Sequence, residues 1–209
     1  MKILLVDDHA IFRQGLKQIL ETAIDVCETG EAGNAADAMR LVRNEDWDLA
    51  ILDISLPDRN GIELLKLIKT ERPRLPVLML SMYAEDQYAV RALRGGAGGY
   101  LTKESAPEEL AAAVRKLVAG GRYITASLAE RLAMAIDDHG DRPLHELLSD
   151  REYQVLLRIA SGKTASEIAV EMSISVKTVS TYRSRILEKM GMKHNAELTH
   201  YAVRNGLVG

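Results

Sequence analysis

The stretch of residues 49–68 constrains the fold of this chain more than any other. Four apolar residues end at the carboxylate of Asp53, and Pro57 and Gly61 then mark a turn before apolar residues that recur at helical spacing. An apolar run this short, bounded by turn residues, is typical of a strand that is buried on both faces of a parallel sheet. Asp53 is therefore predicted at the carboxyl end of a strand, where open α/β sheets bind their ligands.

Strand patterns of this kind alternate with helical patterns through residue 120. The helices are predicted at about residues 9–21, 34–44, 61–71, 85–94 and 106–120. Five strands that alternate with five helices predict an α/β doubly wound, five-stranded parallel sheet, and we expect the flavodoxin-like strand order.

Two further acids, Asp7 and Asp8, end the apolar run of residues 3–6. If that strand lies beside the strand of Asp53, three carboxylates meet at one edge of the sheet, where they repel one another unless a cation lies among them. Mg²⁺, a hard cation that takes oxygen ligands, is the expected one. A carboxylate beside it can accept a phosphoryl group, because the metal neutralises charge on the transferring oxygens. Each acid could instead cap the helix that follows it, but capping does not explain why all three lie at one edge.

Two more strand patterns end at residues that suit a phosphoryl group. The apolar run of residues 77–80 ends at Ser81, and the run of residues 99–102 ends at Lys103. A hydroxyl donor and an ammonium charge are the partners that a phosphoryl group needs. Together with Tyr100 and the three acids, these residues resemble the receiver domain of two-component response regulators.

The resemblance implies a role for each of these residues. A sensor histidine kinase would phosphorylate Asp53. The Mg²⁺ ligands would be Asp8, Asp53, the backbone carbonyl of Ser55 and, through water, Asp7. Lys103 would pair with the phosphoryl oxygens, and Ser81 and Tyr100 would form the switch that responds to phosphorylation. Ser81 stands where many relatives have threonine, a difference that removes one methyl group and keeps the hydroxyl.

Charge and composition point to the partners and the compartment. Residues 147–209 hold nine Lys and Arg against six Asp and Glu, although the whole chain has a formal net charge of −3. A basic rear part behind an acidic front part favours a polyanionic partner. No apolar run reaches the length of a membrane span, and the single cysteine, Cys27, favours a reducing compartment. We therefore expect a cytoplasmic protein that has no membrane partner.

The same patterns divide the chain into domains. Residues 1–120 form the predicted receiver domain, and residues 147–209 form a second domain. Residues 121–146 are predicted to be a linker that contains one helix, at about residues 126–136, and then a polar stretch broken by glycine and proline.

The second domain is predicted to consist of four helices. Ser149 with Glu152, and Thr164 with Glu167, form the capping-box pattern at the start of the first two. Asn195 is expected to cap the last. Two short helices joined by a tight turn, the second of them basic, indicate a helix-turn-helix.

Three segments of this domain carry a second resemblance. Residues 149–152, 163–169 and 175–179 resemble the LuxR-type DNA-binding domain. With the receiver pattern, the whole chain except the linker resembles the NarL/FixJ family of response regulators. The resemblance implies binding to double-stranded promoter DNA and a homodimer on activation. The paired surfaces could be the first and fifth helices, the fourth helix and fifth strand, or the last helix of the chain.

The third helix of this domain, at about residues 176–190, is expected to lie in the major groove. Its predicted core residues are Val176, Val179, Ile186, Leu187 and Met190. The family pattern places base contacts at Lys177, Ser180, Thr181 and Ser184. Phosphate contacts are expected from Lys177, Thr178, Tyr182, Arg183, Arg185 and Lys189. Either Arg183 or Arg185 could read a guanine instead, and a merely solvated basic face is the structural alternative.

Two other functions are compatible with parts of the pattern. Haloacid-dehalogenase-like phosphatases also use an Asp nucleophile with Mg²⁺, but they need a second Asp two residues later, where this chain has Ser55. Asp58 is too far along the turn to replace it. A regulator that works without phosphorylation is the other alternative, and the intact set of acids argues against it.

Overall fold

The structure, a computed structural model, describes residues 1–24, 28–82, 85–126, 128–130 and 143–208. The chain divides into two compact units, Met1–Ala133 and Met134–Gly209, which we call the first and the second unit. The helix predicted at residues 126–136 lies for the most part outside the described residues, and the predicted domain boundaries stay predictions.

The first unit is built on a five-stranded parallel sheet with the order β2-β1-β3-β4-β5. Its strands are β1 (Lys2–Val6), β2 (Glu28–Ala32), β3 (Leu49–Asp53), β4 (Val77–Ser81) and β5 (Gly99–Thr102). Its helices are α1 (Ala10–Ala23), α2 (Ala35–Asn44), α3 (Gly61–Glu71), α4 (Glu85–Arg94) and α5 (Pro107–Val118). The predicted fold class and the flavodoxin-like strand order are confirmed.

Burial explains why the strand patterns are runs of apolar residues without alternation. Every residue of β3 and β4 is buried, because helices cover both faces of the sheet. Alternate strand residues such as Leu5, Ile51 and Leu80 form one core cluster with Leu16 of α1 and Val114 of α5. The polar residues that follow the strands are consequently gathered at one edge.

The second unit is helical where it is described. A short 3₁₀ helix (Leu144–Leu147) precedes α6 (Asp150–Ala160), α7 (Ala165–Glu171), α8 (Val176–Met190) and α9 (Asn195–Arg204). The structure confirms both predicted capping boxes, at the starts of α6 and α7. Helix α8 ends at Gly191, whose φ of 65° is the left-handed conformation that glycine adopts at low cost. None of the helices in the described part of the chain is long and apolar enough to cross a membrane.

Two predictions for the second unit were wrong. Asn195 is the first residue of α9 and His194 is its N-cap, while the Asn195 side-chain oxygen accepts a hydrogen bond of 2.6 Å from Arg183 Nε. Val176, predicted in the core, is 46% exposed. It is the first residue of α8, and it lies at the end of the helix rather than in the core. Val179, Ile186 and Met190 are buried as predicted, and Leu187, also predicted in the core, is half-buried.

Candidate functional site

The strand register brings the predicted site residues to one edge of the sheet. Val6 is aligned with Leu52, so that Asp7 follows β1 at the level where β3 ends in Asp53. Ser81, at the end of β4, is aligned with Thr102, and Lys103 comes next. Because all the strands are parallel, these side chains share the carboxyl edge of the sheet.

A buried ion-pair cluster lies at this edge. Lys103 Nζ is 2.5 Å from Asp7 Oδ2 and 2.9 Å from Asp53 Oδ2, and each of these three side chains is at most 4% exposed. The same ammonium lies 4.5 Å from the ring centroid of Phe12. Burying charge is costly unless it is paired. Here one ammonium pairs with two carboxylates, so the cluster keeps an excess of negative charge.

Burial and the neighbouring charges both shift the pKa values in the cluster. Burial raises the pKa of Asp53, and Asp7 raises it further, while Lys103 opposes both. Burial alone would lower the pKa of Lys103, but Asp53 and Asp7 together raise it above the ordinary value. An additional cation beside Asp53 would therefore stabilise its ionised, nucleophilic form.

A candidate metal site adjoins the ion pair. One possible ligand atom from each of Asp7, Asp8, Asp53 and His9 lies within 4.8 Å of all the others. Three carboxylate oxygens are the hard donors that a divalent cation such as Mg²⁺ prefers, so the residues fit the predicted metal. His9 did not figure in the sequence prediction, and its position directly after two acids was the only available signal.

The turn after β3 holds Asp53 in place. The backbone N–H of Ser55 donates a hydrogen bond to the Asp53 side chain, and Ser55 forms a bridge with Asn60 across the turn. Asn60 is fully buried and its side-chain oxygen accepts from the N–H of Ile62 at 2.7 Å, which caps α3. A β-carbon on Gly61 would lie 2.0 Å from the backbone oxygen of Asp53, so the turn needs glycine at this position.

Asp58, in the same turn, has a role in capping. Its two carboxylate oxygens accept from the N–H groups of Ala35 at 2.9 Å and Ala36 at 3.0 Å, at the start of α2. A carboxylate there is stabilised by the helix N-terminus. Because both Asp58 oxygens are bonded to α2, Asp58 is not placed to serve as the second acid of a phosphatase.

The predicted switch residues are both fully buried in the first unit. Ser81 ends β4, and its carbonyl accepts a hydrogen bond of 2.7 Å from the N–H of Lys103. Tyr100, in the middle of β5, has no exposed surface. Ser81 therefore lies one hydrogen bond away from the lysine that contacts Asp53, while the movement of Ser81 and Tyr100 stays a prediction.

The face of α8 that was predicted to read bases is exposed. It presents Lys177, Ser180, Thr181 and Ser184, and Arg185, a predicted phosphate contact, is exposed as well. The hydroxyls of Ser180, Thr181 and Ser184 donate to the carbonyl four residues earlier, at 3.0, 3.0 and 3.1 Å. Each hydroxyl oxygen keeps its acceptor capacity for a base edge.

Three predicted phosphate contacts have partners within the protein. Thr178 Oγ lies 2.8 Å from the hydroxyl of Ser175, the N-cap of α8, and Arg183 donates to Asn195. Lys189 Nζ donates at 2.6 Å to Glu152, whose side chain is only 4% exposed. Pattern alone could not reveal the pairs of Arg183 and Lys189, because Asn195 and Glu152 lie on other elements.

Two family descriptions match the chain. Residues 3–115 match the response regulator receiver domain, and residues 146–202 match the bacterial regulatory proteins of the luxR family. The two matches together span both units.

Relatives and solved structures agree with these matches. The chain is 34% identical over 208 residues to the response regulator UvrY of Escherichia coli (strain K12), and the match covers 99% of this chain and 95% of that protein. It is 34% identical over 210 residues to the response regulator GacA of Pseudomonas aeruginosa, covering 100% and 98%. The structure of RcsB from Salmonella enterica serovar Typhimurium, bound to a promoter in the presence of the phosphomimetic BeF₃⁻, is similar with a TM-score of 0.62. That match is 27% identical in sequence and covers 97% of this chain and 98% of that one.

Proposed function

Because the chain belongs to the two-component response regulators that join a receiver domain to a LuxR-family DNA-binding domain, we propose that phosphorylation of Asp53 controls its binding to promoter DNA. The observation that carries the proposal is the Asp53 carboxylate at the end of β3, 2.9 Å from Lys103 and within the cluster of acids. A sensor histidine kinase is the phosphoryl donor, and the protein works in the cytoplasm.

The residues at this edge have separate roles in phosphoryl transfer. An oxygen of Asp53 forms a bond to phosphorus as the bond from phosphorus to the kinase histidine breaks. Lys103 then pairs with the phosphoryl oxygens. Asp8, Asp53, the Ser55 carbonyl and, through water, Asp7 would hold Mg²⁺, which would neutralise charge on the transferring oxygens. The same arrangement lets the receiver catalyse its own phosphorylation and dephosphorylation.

Phosphorylation shifts the equilibrium between two conformations of the receiver surface. The hydroxyl of Ser81 bonds the new phosphoryl group, and Tyr100 occupies the space behind it. Added charge and its hydrogen bonds shift the balance between two packed arrangements. The active arrangement forms a homodimer, which places two copies of α8 on two half-sites of the DNA.

The exposed face of α8 reads the DNA. Lys177, Ser180, Thr181 and Ser184 contact bases, and Thr178, Tyr182, Arg183, Arg185 and Lys189 contact phosphates. The RcsB structure bound to a promoter, to which this chain is similar over 97% of its length, supports promoter DNA as the partner. The excess of basic residues in 147–209 agrees with it.

Asp53→Asn tests the proposal. The amide has nearly the shape of the carboxylate and is a poor nucleophile, so the variant should fold and should not gain the mass of a phosphoryl group from acetyl phosphate with Mg²⁺. Intact mass spectrometry measures the adduct, and DNA binding by fluorescence anisotropy is followed on the same samples.

Asp58→Asn is the matched control, since Asp58 lies in the same turn and bonds α2. It should be phosphorylated like the wild type. A phosphorylated Asp53→Asn would refute the site assignment. Rapid turnover of acetyl phosphate without tighter DNA binding would favour the phosphatase alternative. DNA binding that is unchanged by acetyl phosphate would favour a phosphorylation-independent regulator.

A further inference from the structure

We propose that His9 contributes a nitrogen ligand to the metal site, so that the site binds first-row transition metals better than its carboxylates alone would allow. The inference rests on the proposed function, because it requires a cation between Asp8 and Asp53. It concerns a residue that neither the acid pattern nor the phosphoryl chemistry uses.

The distances around His9 are those of neighbouring ligands on one ion. His9 Nδ1 lies 2.7 Å from Asp8 Oδ1 and 3.2 Å from Asp7 Oδ1. Two adjacent ligands of an octahedral ion, each about 2.1 Å from it, lie about 3.0 Å apart. The nitrogen and Asp8 Oδ1 are thus close to the spacing of two ligands on one ion, and Asp7 Oδ1 lies near enough to hold a water of that ion. A ligand atom of Asp53 lies within 4.8 Å of them.

The backbone holds His9 in register with the acids, while its ring can adjust. The His9 N–H donates at 2.9 Å to Asp7 Oδ1, which ties the residue to the site. The side chain is 69% exposed and, although His9 is the N-cap of α1, it makes no capping bond. Turning the ring toward an ion therefore gives up only the contacts of Nδ1 with the Asp7 and Asp8 carboxylates, which belong to the same site.

Imidazole changes which metals the site favours. A nitrogen donor suits Co²⁺, Ni²⁺ and Zn²⁺, whereas Mg²⁺ prefers oxygen and keeps its waters. A site with three carboxylates and one imidazole therefore gains affinity for transition metals and little for Mg²⁺.

A structural role for His9 leads to the opposite expectation. His9 could serve only as a hydrogen-bond partner of Asp8 when no metal is present. In that case His9 would compete with the cation for the Asp8 carboxylate, and removing His9 would strengthen the binding of every divalent cation alike. The sign and the metal dependence of the change separate the two roles.

The experiment compares the wild-type chain with His9→Ala. Affinities for Co²⁺ and Mg²⁺ are measured by calorimetry at about pH 8, where free histidine is neutral. We expect His9→Ala to weaken Co²⁺ binding about tenfold or more, the range found when ligand shells are altered, and to change Mg²⁺ binding less than about twofold. His200→Ala, which removes an exposed histidine from the second unit, should match the wild type.

Spectroscopy checks the bond directly. Electron spin echo envelope modulation of bound Mn²⁺ should show coupling to a coordinated ¹⁴N in the wild type and in His200→Ala, and none in His9→Ala. Equal changes for Co²⁺ and Mg²⁺, tighter binding of both, or a nitrogen signal that survives His9→Ala would overturn the inference.

The proposed function can fail separately. If the wild type takes up phosphoryl with Mg²⁺ while His9→Ala keeps its Co²⁺ affinity, only the role of His9 is refuted. If the wild type neither binds Mg²⁺ nor becomes phosphorylated, both proposals are refuted.

Discussion

Single residues in this protein have partners within the fold that the sequence pattern does not reveal. Lys189, which is proposed to contact a DNA phosphate, donates a hydrogen bond in this structure to Glu152, the capping-box acid of α6. Burial alone would raise the pKa of Glu152, but Lys189 and the bonds from Ser149 outweigh it and lower the pKa below the usual value. The pair therefore links α8 to the start of α6.

This link makes stability depend on pH. Because the pKa of Glu152 is lowered in the folded state, its contribution is present above the unfolded value of about 4.3 and is lost as the pH falls through the folded value. Lys189→Ala should lower the free energy of unfolding by about 1–3 kcal/mol at neutral pH, since a buried carboxylate loses its charged partner and keeps only its bonds from Ser149. It should also flatten this part of the pH dependence. Urea unfolding followed by far-UV circular dichroism, between neutral pH and about pH 3, measures both.

Lys177→Ala is the control for this pair, because Lys177 is exposed on the same helix. Its free energy of unfolding should stay within about 0.5 kcal/mol of the wild type. A Lys189→Ala variant that is as stable as Lys177→Ala, with an unchanged pH dependence, would show that the pair contributes nothing to stability.

At the scale of elements, the junction between β3 and α3 is the most constrained part of the first unit. Gly61→Ala should destabilise the protein by about 1–3 kcal/mol, as overpacking does, because the new carbon would meet the backbone oxygen of Asp53 at 2.0 Å. The strain falls on the residue that carries the chemistry, so phosphorylation by acetyl phosphate should slow as well. Denaturant unfolding and the rate of mass gain report the two effects.

Gly15→Ala, the same substitution at another position, is expected to raise the free energy of unfolding. Gly15 lies within α1, and no described atom comes within 4 Å of a β-carbon there. Alanine in a helix interior is favoured over glycine by about 0.5–1 kcal/mol, so this variant should be stabilised. A Gly61→Ala variant that is as stable as Gly15→Ala would contradict the steric account of the turn.

Helix α8 is the element expected to discriminate between DNA sequences. Thr181→Ala removes an exposed hydroxyl and a methyl group, and it should weaken binding to the specific duplex by about 1–3 kcal/mol while leaving binding to a scrambled duplex nearly unchanged. Binding is measured at several salt concentrations. Thr199→Ala is a matched control on α9, since both hydroxyls donate to the carbonyl four residues earlier. Equal losses on both duplexes would mean that Thr181 does not read bases.

For the whole molecule, the proposed coupling between the two units must be reciprocal. If phosphorylation tightens promoter binding by some factor, promoter DNA must tighten binding of the activating group by the same factor, typically about 5–150-fold. BeF₃⁻, a phosphomimetic, allows the test because it binds reversibly. Its affinity for the Mg²⁺-loaded protein should rise when the specific duplex is present.

A scrambled duplex at the same salt concentration should leave the BeF₃⁻ affinity almost unchanged. Asp53→Asn should abolish the effect of the specific duplex. Equal BeF₃⁻ affinities with and without the specific duplex would show that the two units are not coupled, even if each works alone.

The sequence alone determined the order of the helices and strands, the residues at which the strands end, and the functional side chains that follow them. Apolar runs that end at Asp7, Asp53, Ser81 and Lys103 place these residues at one edge, because parallel strands share their direction. The capping boxes of α6 and α7 were equally readable, since capping depends on residues three positions apart.

Only the tertiary structure decided which side chains from separate elements meet. It turned Asp58 onto the start of α2, placed Lys189 on Glu152, and bonded Asn195 to Arg183. It also brought His9 beside the acids, which depends on side-chain orientation as well as chain position. Periodicity encodes the face of an element that is buried, whereas these contacts depend on distances between elements that packing sets.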